Sequence, residues 1–431
     1  MTAMNDSPAS APVGCRLVVL APNAWRGQWV NRQQLFSRLG RTHTVLYSTG
    51  GWFTWDRHST EWRTAPRLGA FERADNVWVD ESPQALMRFP RFPLLDGLVI
   101  RMQARRWARF MRKRGTGPLV AYVFHPMFLP YVRHIGAEYV VYHAYDLYEH
   151  TPGWNETLAQ DQRTLLRSAD MVVAASEQIA QALRTQVERD IRVLPNGADI
   201  EALSHALSVR LPEPQDLAEI PHPRLGWVGS LHPQVDFGLI ADLAARRPGW
   251  NFVLVGNLVE HSDPRSEAER ARCVDLPNVH FLGAKPVDRV PQYLVNMDVN
   301  LMFYRLAGQS WVISGYPLKL HEYLAAGHPV VSVDLPTVRP FSDVVRIAEG
   351  VDDWLAAIEE ALTVGGRGTR DQRRTVAAAN GWDQRVATLE AWLKELASAG
   401  SGGRLATSAK ISAALPASAS TAVAQVPPPP T

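Results

Sequence analysis

Lys319 and Glu322 stand three residues apart in the stretch "SGYPLKLHEYLAAGHPVVSVD", which runs from Ser314 to Asp334. Leu318, His321, Leu324 and Ala325 recur around them at helical spacing. Pro317 suits a first helical turn, where a missing N–H costs nothing, and Gly327 marks the helix end before Pro329 opens a β-branched run. A lysine in the first turn opposes the helix dipole unless an anion sits there, and the free N–H groups of that end attract anions. Two phosphates would supply one. Glu322, one turn further in, is placed to accept two hydroxyl hydrogen bonds of the kind a ribose offers. The plain alternative is a Lys–Glu pair on a solvated helix face, worth about 0.2–0.5 kcal/mol.

A helix N-terminus meets a ligand when the helix follows a strand of an open parallel sheet, because ligands bind at the carboxyl ends of such strands. The chain supplies the strands. Short apolar runs, "RLVVLAP", "HTVLYST", "PLVAYVF", "EYVVYHA", "DMVVAAS" and "IRVLPNG", alternate with helix-length segments. After the Pro-rich break "LPEPQDLAEIPHP" the rhythm restarts with "RLGWVGS", "NFVLVGN", "NVHFLGA", "DVNLMFY" and "HPVVSVD". Runs apolar on both faces indicate parallel strands covered on both sides, so the fold class is α/β, with two doubly wound Rossmann-like domains facing a cleft. In "GWDQRVATLEAWLKELAS", Val386, Leu389, Trp392, Leu393 and Leu396 fall on one helical face. The expected order is a disordered N-terminus (1–13), a first domain (14–210), a linker (211–223), a second domain (224–380), a helix returning towards the first domain (381–398) and a disordered Ala/Ser/Pro-rich tail (399–431).

Bulk properties exclude several classes. A chain of 431 residues with 46% hydrophobic residues can bury two cores, and a net charge of +2 gives no bulk attraction for nucleic acid. Two cysteines, Cys15 and Cys273, exclude a disulfide scaffold or a cysteine zinc site and fit a reducing, cytoplasmic setting. No apolar run approaches the length of a membrane span. The first strand is followed by "NAWRGQWVNRQQL", without a G-x-G-x-x-G fingerprint, and neither a G-x-x-x-x-G-K-[ST] phosphate loop nor a G-x-S-x-G elbow occurs.

"PLKLHEYLAAGHPVV" resembles the nucleotide-sugar-binding segment of GT-B-fold glycosyltransferases of the bacterial polysaccharide and teichuronic-acid type. The resemblance extends in order through "WVNRQQLFSRL", "VVYHAYD", "ADMVVAASEQIAQAL", "VLPNGAD", "WVGSLHPQVDF", "FVLVGN", "PNVHFLGAKPVDRVPQYLVNMDV" and "GWDQRVATLEAWL", nearly all of residues 15–398. It implies a donor held by the second domain and an acceptor held by the first. Lys319 would contact the donor diphosphate and Glu322 the ribose. Tyr304 would lie at the cleft edge, near the phosphates or as a core aromatic. Gly256, Asn257, Gly283 and Ala284 would border the nucleobase, small residues there letting a flat ring approach the backbone.

The sequence departs from the retaining branch of that family. Ser314 stands where a second glutamate is usual, and "GSLHPQVDFG" lacks the usual Arg and Lys, so Arg305 is the candidate for the missing positive charge. An inverting transfer needs one general base and no metal, and the chain has no Asp-x-Asp pair to bind one. Asp146, after "VVYHAY", is the first candidate base, with a helix cap before "LYEH" as its alternative role; His125, after "LVAYVF", is the second. A retaining enzyme would instead use His125 to position the sugar. Trp29, Asn31 and Arg32 would line the acceptor side.

Residues 87–115 hold nine Lys or Arg against one Asp. Arg101, Arg105, Arg109 and Arg112 form a stripe, with Leu95, Leu98, Val99, Met102, Trp107 and Phe110 supplying apolar surface. A basic amphipathic helix lies readily on an anionic membrane, each cation contributing about 1 kcal/mol; the alternative is a solvated face of an ordinary helix. The expected activity is therefore transfer of a sugar from a nucleotide-sugar donor to a glycan or lipid-linked acceptor, without cofactor or nucleic acid, in the cytoplasm or at the inner face of the membrane. Two rivals share the fold. A sugar-nucleotide epimerase would need no acceptor and no basic patch, and a non-catalytic scaffold would account for Ser314.

Overall fold

The computed structural model describes residues 14–27, 29–151, 153–209, 211–259, 264–306 and 310–399. The expected disorder of 1–13 and of the tail beyond residue 399 lies outside the described residues. The chain forms two compact units. One comprises the residues up to Ala175, Ile179–Leu194 and the segment from Val386; the other comprises Ser176–Gln178 and Pro195–Arg385.

The first unit is built on β1 (Arg16–Leu20), β2 (Thr44–Ser48), β3 (Ala70–Ala74), β4 (Val77–Glu81), β5 (Leu119–Val123), β6 (Tyr139–Ala144), β7 (Met171–Ala174) and β8 (Arg192–Val193). They pair in the order β3-β4-β2-β1-β5-β6-β7-β8. β1, β2 and β5 bury nearly every side chain, as strands covered on both faces must. The β3–β4 pair is antiparallel and was not expected, since "AFERADNVWVDE" reads as a polar, half-buried hairpin beside strongly apolar runs. Its turn is Asp75-Asn76, with φ of 45° and 68°, the positive pair that a tight hairpin requires.

The second unit carries β9 (Arg224–Val228), β10 (Asn251–Val255), β11 (Val279–Gly283), β12 (Val299–Met302), β13 (Val330–Ser332) and β14 (Arg346–Ile347). These six strands pair in the order β11-β10-β9-β12-β13-β14, all parallel. Residues 195–223, placed before the second domain in the sequence reading, fall within this unit, and Leu217 and Ile220 are buried in its core.

The last helix runs from Trp382 to Ala399, one residue past its expected end. From Val386 it belongs to the first unit. There Glu390 accepts from Thr42 Oγ1, and Glu395 accepts from Arg192 at 2.8 Å. The basic helix spans Pro93–Arg112. Val99 and Trp107, read as part of its apolar outer surface, are instead core residues at 6% and 0% exposure. Phe110 is also no free surface: it stacks at 3.8 Å on Phe71, beneath the Arg114 guanidinium. Among the described residues no helix is long and apolar enough to cross a membrane.

Candidate functional site

The helix of the second unit that carries Lys319 and Glu322 spans Lys319–Ala326. It starts two residues after Pro317, whose carbonyl accepts the Leu320 N–H at 3.3 Å, and ends at Gly327 with φ of +84°. Leu320, Tyr323 and Leu324 are buried and fix its rotation, and the Tyr323 hydroxyl accepts the Val228 N–H at 2.8 Å, tying the helix to the end of β9. Lys319, at the start of that helix, faces the carboxyl end of that strand.

The Lys319 ammonium lies 4.4 Å from the centroid of the Trp227 ring and 6.0 Å from that of Tyr304. The two rings meet edge to face, 5.1 Å apart. Next to Trp227 the chain turns at Gly229, with φ of +137°; a Cβ there would come within 2.5 Å of Lys319 Cε and Nζ. Gly256, after β10, is pressed so closely on the Gly229 carbonyl that a Cβ could not fit. Its N–H donates to the Gly283 carbonyl at 3.0 Å, joining the strand ends where Asn257, Gly283 and Ala284 are exposed.

Among the described residues neither Lys319 Nζ nor the Glu322 carboxylate has a hydrogen-bond or ion-pair partner. Burial lowers the Lys319 pKa to about 8, opposed by the charge of Glu322. Burial likewise raises the Glu322 pKa to about 7; Lys319 opposes that shift and Asp199 adds to it. Asp199 caps its own helix by accepting the Ala202 N–H at 3.2 Å. A half-buried cation and anion without close partners can hold a ligand that brings an anion to one and hydroxyl donors to the other.

One residue assigned to this site has its charge taken up elsewhere. The Arg305 guanidinium is ion-paired with Glu269, so its charge is already countered. Ser314 is buried, and its carbonyl accepts from the Ser176 hydroxyl. Trp227 and Gly229 were not singled out by the sequence reading. The signal was present in "WVGS", a glycine directly after a strand whose penultimate residue is aromatic.

In the first unit, Arg32 occupies the second position of the helix Asn31–Leu39 and is buried. Its guanidinium lies between two rings, 4.9 Å from Phe124 and 4.8 Å from Tyr145, while Nη1 donates to Asn23 Oδ1 at 2.6 Å. The same charge acts on His125 and Asp146, which follow β5 and β6 by two residues. Burial raises the Asp146 pKa to about 6 against the pull of Arg32. Asp146 caps no helix: the short turn Tyr148–His150 has Leu147 at its cap and no side-chain cap bond.

Burial and Arg32 lower the His125 pKa to about 3, so the ring is neutral at ordinary pH. Its Nδ1 accepts the Met127 N–H at 3.1 Å, which leaves the ring proton on Nε2. His143, inside β6, is buried with Nδ1 against the Tyr122 hydroxyl at 2.8 Å. Trp29 is partly exposed beside Trp25, their centroids 6.3 Å apart, and the Asn31 side chain is buried with Oδ1 unpartnered. Arg32, His125 and Asp146 thus form one electrostatic group; Trp29 and Asn31 flank it only through the helix start.

Residues 222–387 match the family model "Glycosyl transferases group 1", and residues 55–202 match "Glycosyltransferase Family 4". A Bacillus subtilis (strain 168) protein named as a teichuronic acid biosynthesis glycosyltransferase, TuaH, is 27% identical over 263 residues. That match covers 57% of this chain and 64% of the relative, a little under two thirds of its length. Among solved structures, the sucrose-phosphate synthase from Thermosynechococcus elongatus superposes with a TM-score of 0.63 at 15% identity, covering 90% of this chain and all of that one. Anabaena Alr3699/HepE in complex with UDP gives 0.61 at 14% identity, covering 88% of this chain and all of that one. At such identities the likeness is one of fold.

Proposed function

We propose that the chain is a GT-B-fold glycosyltransferase, and that it transfers a sugar from a nucleoside diphosphate donor to a glycan or lipid-linked acceptor in surface-polysaccharide assembly. The teichuronic-acid relative supports the polysaccharide setting, and the UDP complex of a fold neighbour supports the donor class. The observation that carries the reading is the Lys319 ammonium, held on the Trp227 face beside Gly229 without a carboxylate partner.

In this reading Lys319 and the helix N–H groups meet the diphosphate, and Glu322 accepts from the ribose hydroxyls. Asp146 takes the proton of the acceptor hydroxyl. The acceptor oxygen bonds to the anomeric carbon as its bond to phosphate breaks, and the nucleoside diphosphate leaves as an anion that Lys319 stabilises. Asp146 suits the base because its pKa is near 6, whereas His125 is weakly basic and already accepts at Nδ1. Configuration at the anomeric carbon is then inverted. The scheme asks for no metal, the positive charge being supplied by Lys319. A second reading follows from His125, whose Nε2–H is a donor suited to a sugar hydroxyl: transfer with retention, Asp146 serving only to orient the acceptor.

Incubation with a panel of nucleotide sugars, with and without membrane or glycan extract, tests the proposal. Nucleoside diphosphate release that requires the extract supports it. Interconversion of the sugar nucleotide without any acceptor would assign an epimerase instead. The anomeric coupling constant of the product distinguishes inversion from retention.

A further inference from the structure

We propose that the outer face of the helix Pro93–Arg112 is a docking surface for an anionic phospholipid bilayer. The inner face of this helix is committed to the core through Ile100, Ala104, Trp107 and Met111. Its outer face has two halves of different chemistry. Towards the N-terminus, Leu94 is 94% exposed, Leu98 53% and Met102 49%, with Phe92 just before the helix at 63%. Towards the C-terminus the exposed positions are Arg105, Arg109 and Arg112, with Arg101 at the junction.

Folding leaves both halves unsatisfied. Among the described residues none of the four arginines is paired with a carboxylate. The segment's one acid, Asp96, is buried and doubly bound by Arg88 at 2.7 Å, so it adds no negative field outside. Burial, and then the charges of Arg101, Arg133 and Arg105, hold the pKa of His134 on the neighbouring helix Leu129–Ile135 below its ordinary value, so that ring is neutral and adds no charge to the stripe.

A bilayer containing phosphatidylglycerol satisfies both halves at once. Leu94, Leu98 and Met102 enter the acyl boundary while the arginines, with long apolar stems, reach lipid phosphates. A soluble polyanion would use the arginines alone and leave exposed leucines unexplained. The inference goes beyond the proposed transfer and does not require it, since vesicle binding needs neither donor nor acceptor.

The test is flotation of the full chain with phosphatidylglycerol/phosphatidylethanolamine vesicles, against phosphatidylcholine vesicles. Three variants are compared at matched melting temperature: Leu94→Ser with Leu98→Ser, Arg105→Gln with Arg109→Gln, and the four together. Binding to the anionic vesicles alone is expected, reduced about tenfold by the leucine pair and about tenfold or more by the arginine pair. Absence of binding to anionic vesicles overturns the proposal. Binding that the leucine pair leaves unchanged, and that heparin fully displaces, also overturns it, assigning a polyanion surface.

Discussion

The ammonium of Lys319 rests 4.4 Å from the centroid of Trp227, and Gly229 leaves it the room to do so. An aromatic face attracts a cation by about 0.5–2 kcal/mol but presents no countercharge that a phosphate must displace. The arrangement holds the lysine in place and keeps it available to an anion. Burial lowers its pKa to about 8. Anion binding favours the charged form, so above that pH the protein takes up a proton on binding. Affinity for a nucleoside diphosphate is therefore expected to fall as the pH rises through about 8, by up to about tenfold per unit. Titrations above pH 7, where the terminal phosphate is already ionised, measure this slope, and Lys319→Met should remove it.

Gly229→Ala separates the seat of the lysine from the lysine itself. The added Cβ meets Lys319 Cε and Nζ and sits at a φ of +137° that side chains rarely adopt. A loss of about 1–3 kcal/mol in stability is expected from the backbone. Nucleotide affinity should drop together with it, because the ammonium is pushed off Trp227. A variant that binds nucleotide normally would show that this seat plays no part.

Glu322 makes a stability prediction of opposite sense to its role. Its pKa is about 7 in the folded chain against 4.5 for an ordinary glutamate, so the folded state binds more protons between those values. Stability is lost as pH rises from about 4.5 to about 7. Glu322→Gln should accordingly raise the melting temperature relative to the parent at pH 8 but not at pH 4, while weakening nucleotide binding. Thermal melts at the two pH values read the difference.

Arg32 sets the protonation of Asp146. Its guanidinium, fixed between Phe124 and Tyr145, pulls the Asp146 pKa down against burial. Arg32→Gln should raise that pKa above about 6, moving the acidic limb of the rate profile to higher pH. Asp146→Asn should lower turnover by about 10²–10⁴-fold and leave donor binding intact, as expected for loss of a general base. His125→Gln keeps a donor and should preserve turnover better than Asp146→Asn does.

Periodicity made most of the fold legible. Parallel strands buried on both faces declare themselves as continuous apolar runs, and every such run quoted from the sequence carries a strand. The β3–β4 hairpin was missed because its exposed strand alternates weakly, with only Asp75-Asn76 to mark the turn. At the site, helical spacing placed Lys319 and Glu322 on the helix, but spacing carries no information about what faces it. Trp227 and Gly229 lie about ninety residues earlier and meet Lys319 only through sheet topology. Arg305 illustrates the converse: a cation beside Tyr304 in sequence is drawn away by Glu269 on another helix. Val99 and Trp107 were read as outer surface because an amphipathic pattern shows two faces without saying which is buried.

Calorimetric titration of the full chain with UDP and with GDP, on the parent and on Lys319→Ala, tests the central claim most directly. Binding of one nucleotide, weakened by the substitution about tenfold or more as loss of a charged hydrogen bond requires, is the predicted result. Binding of neither nucleotide, or an affinity that Lys319→Ala leaves unchanged, would contradict the assignment of the donor site.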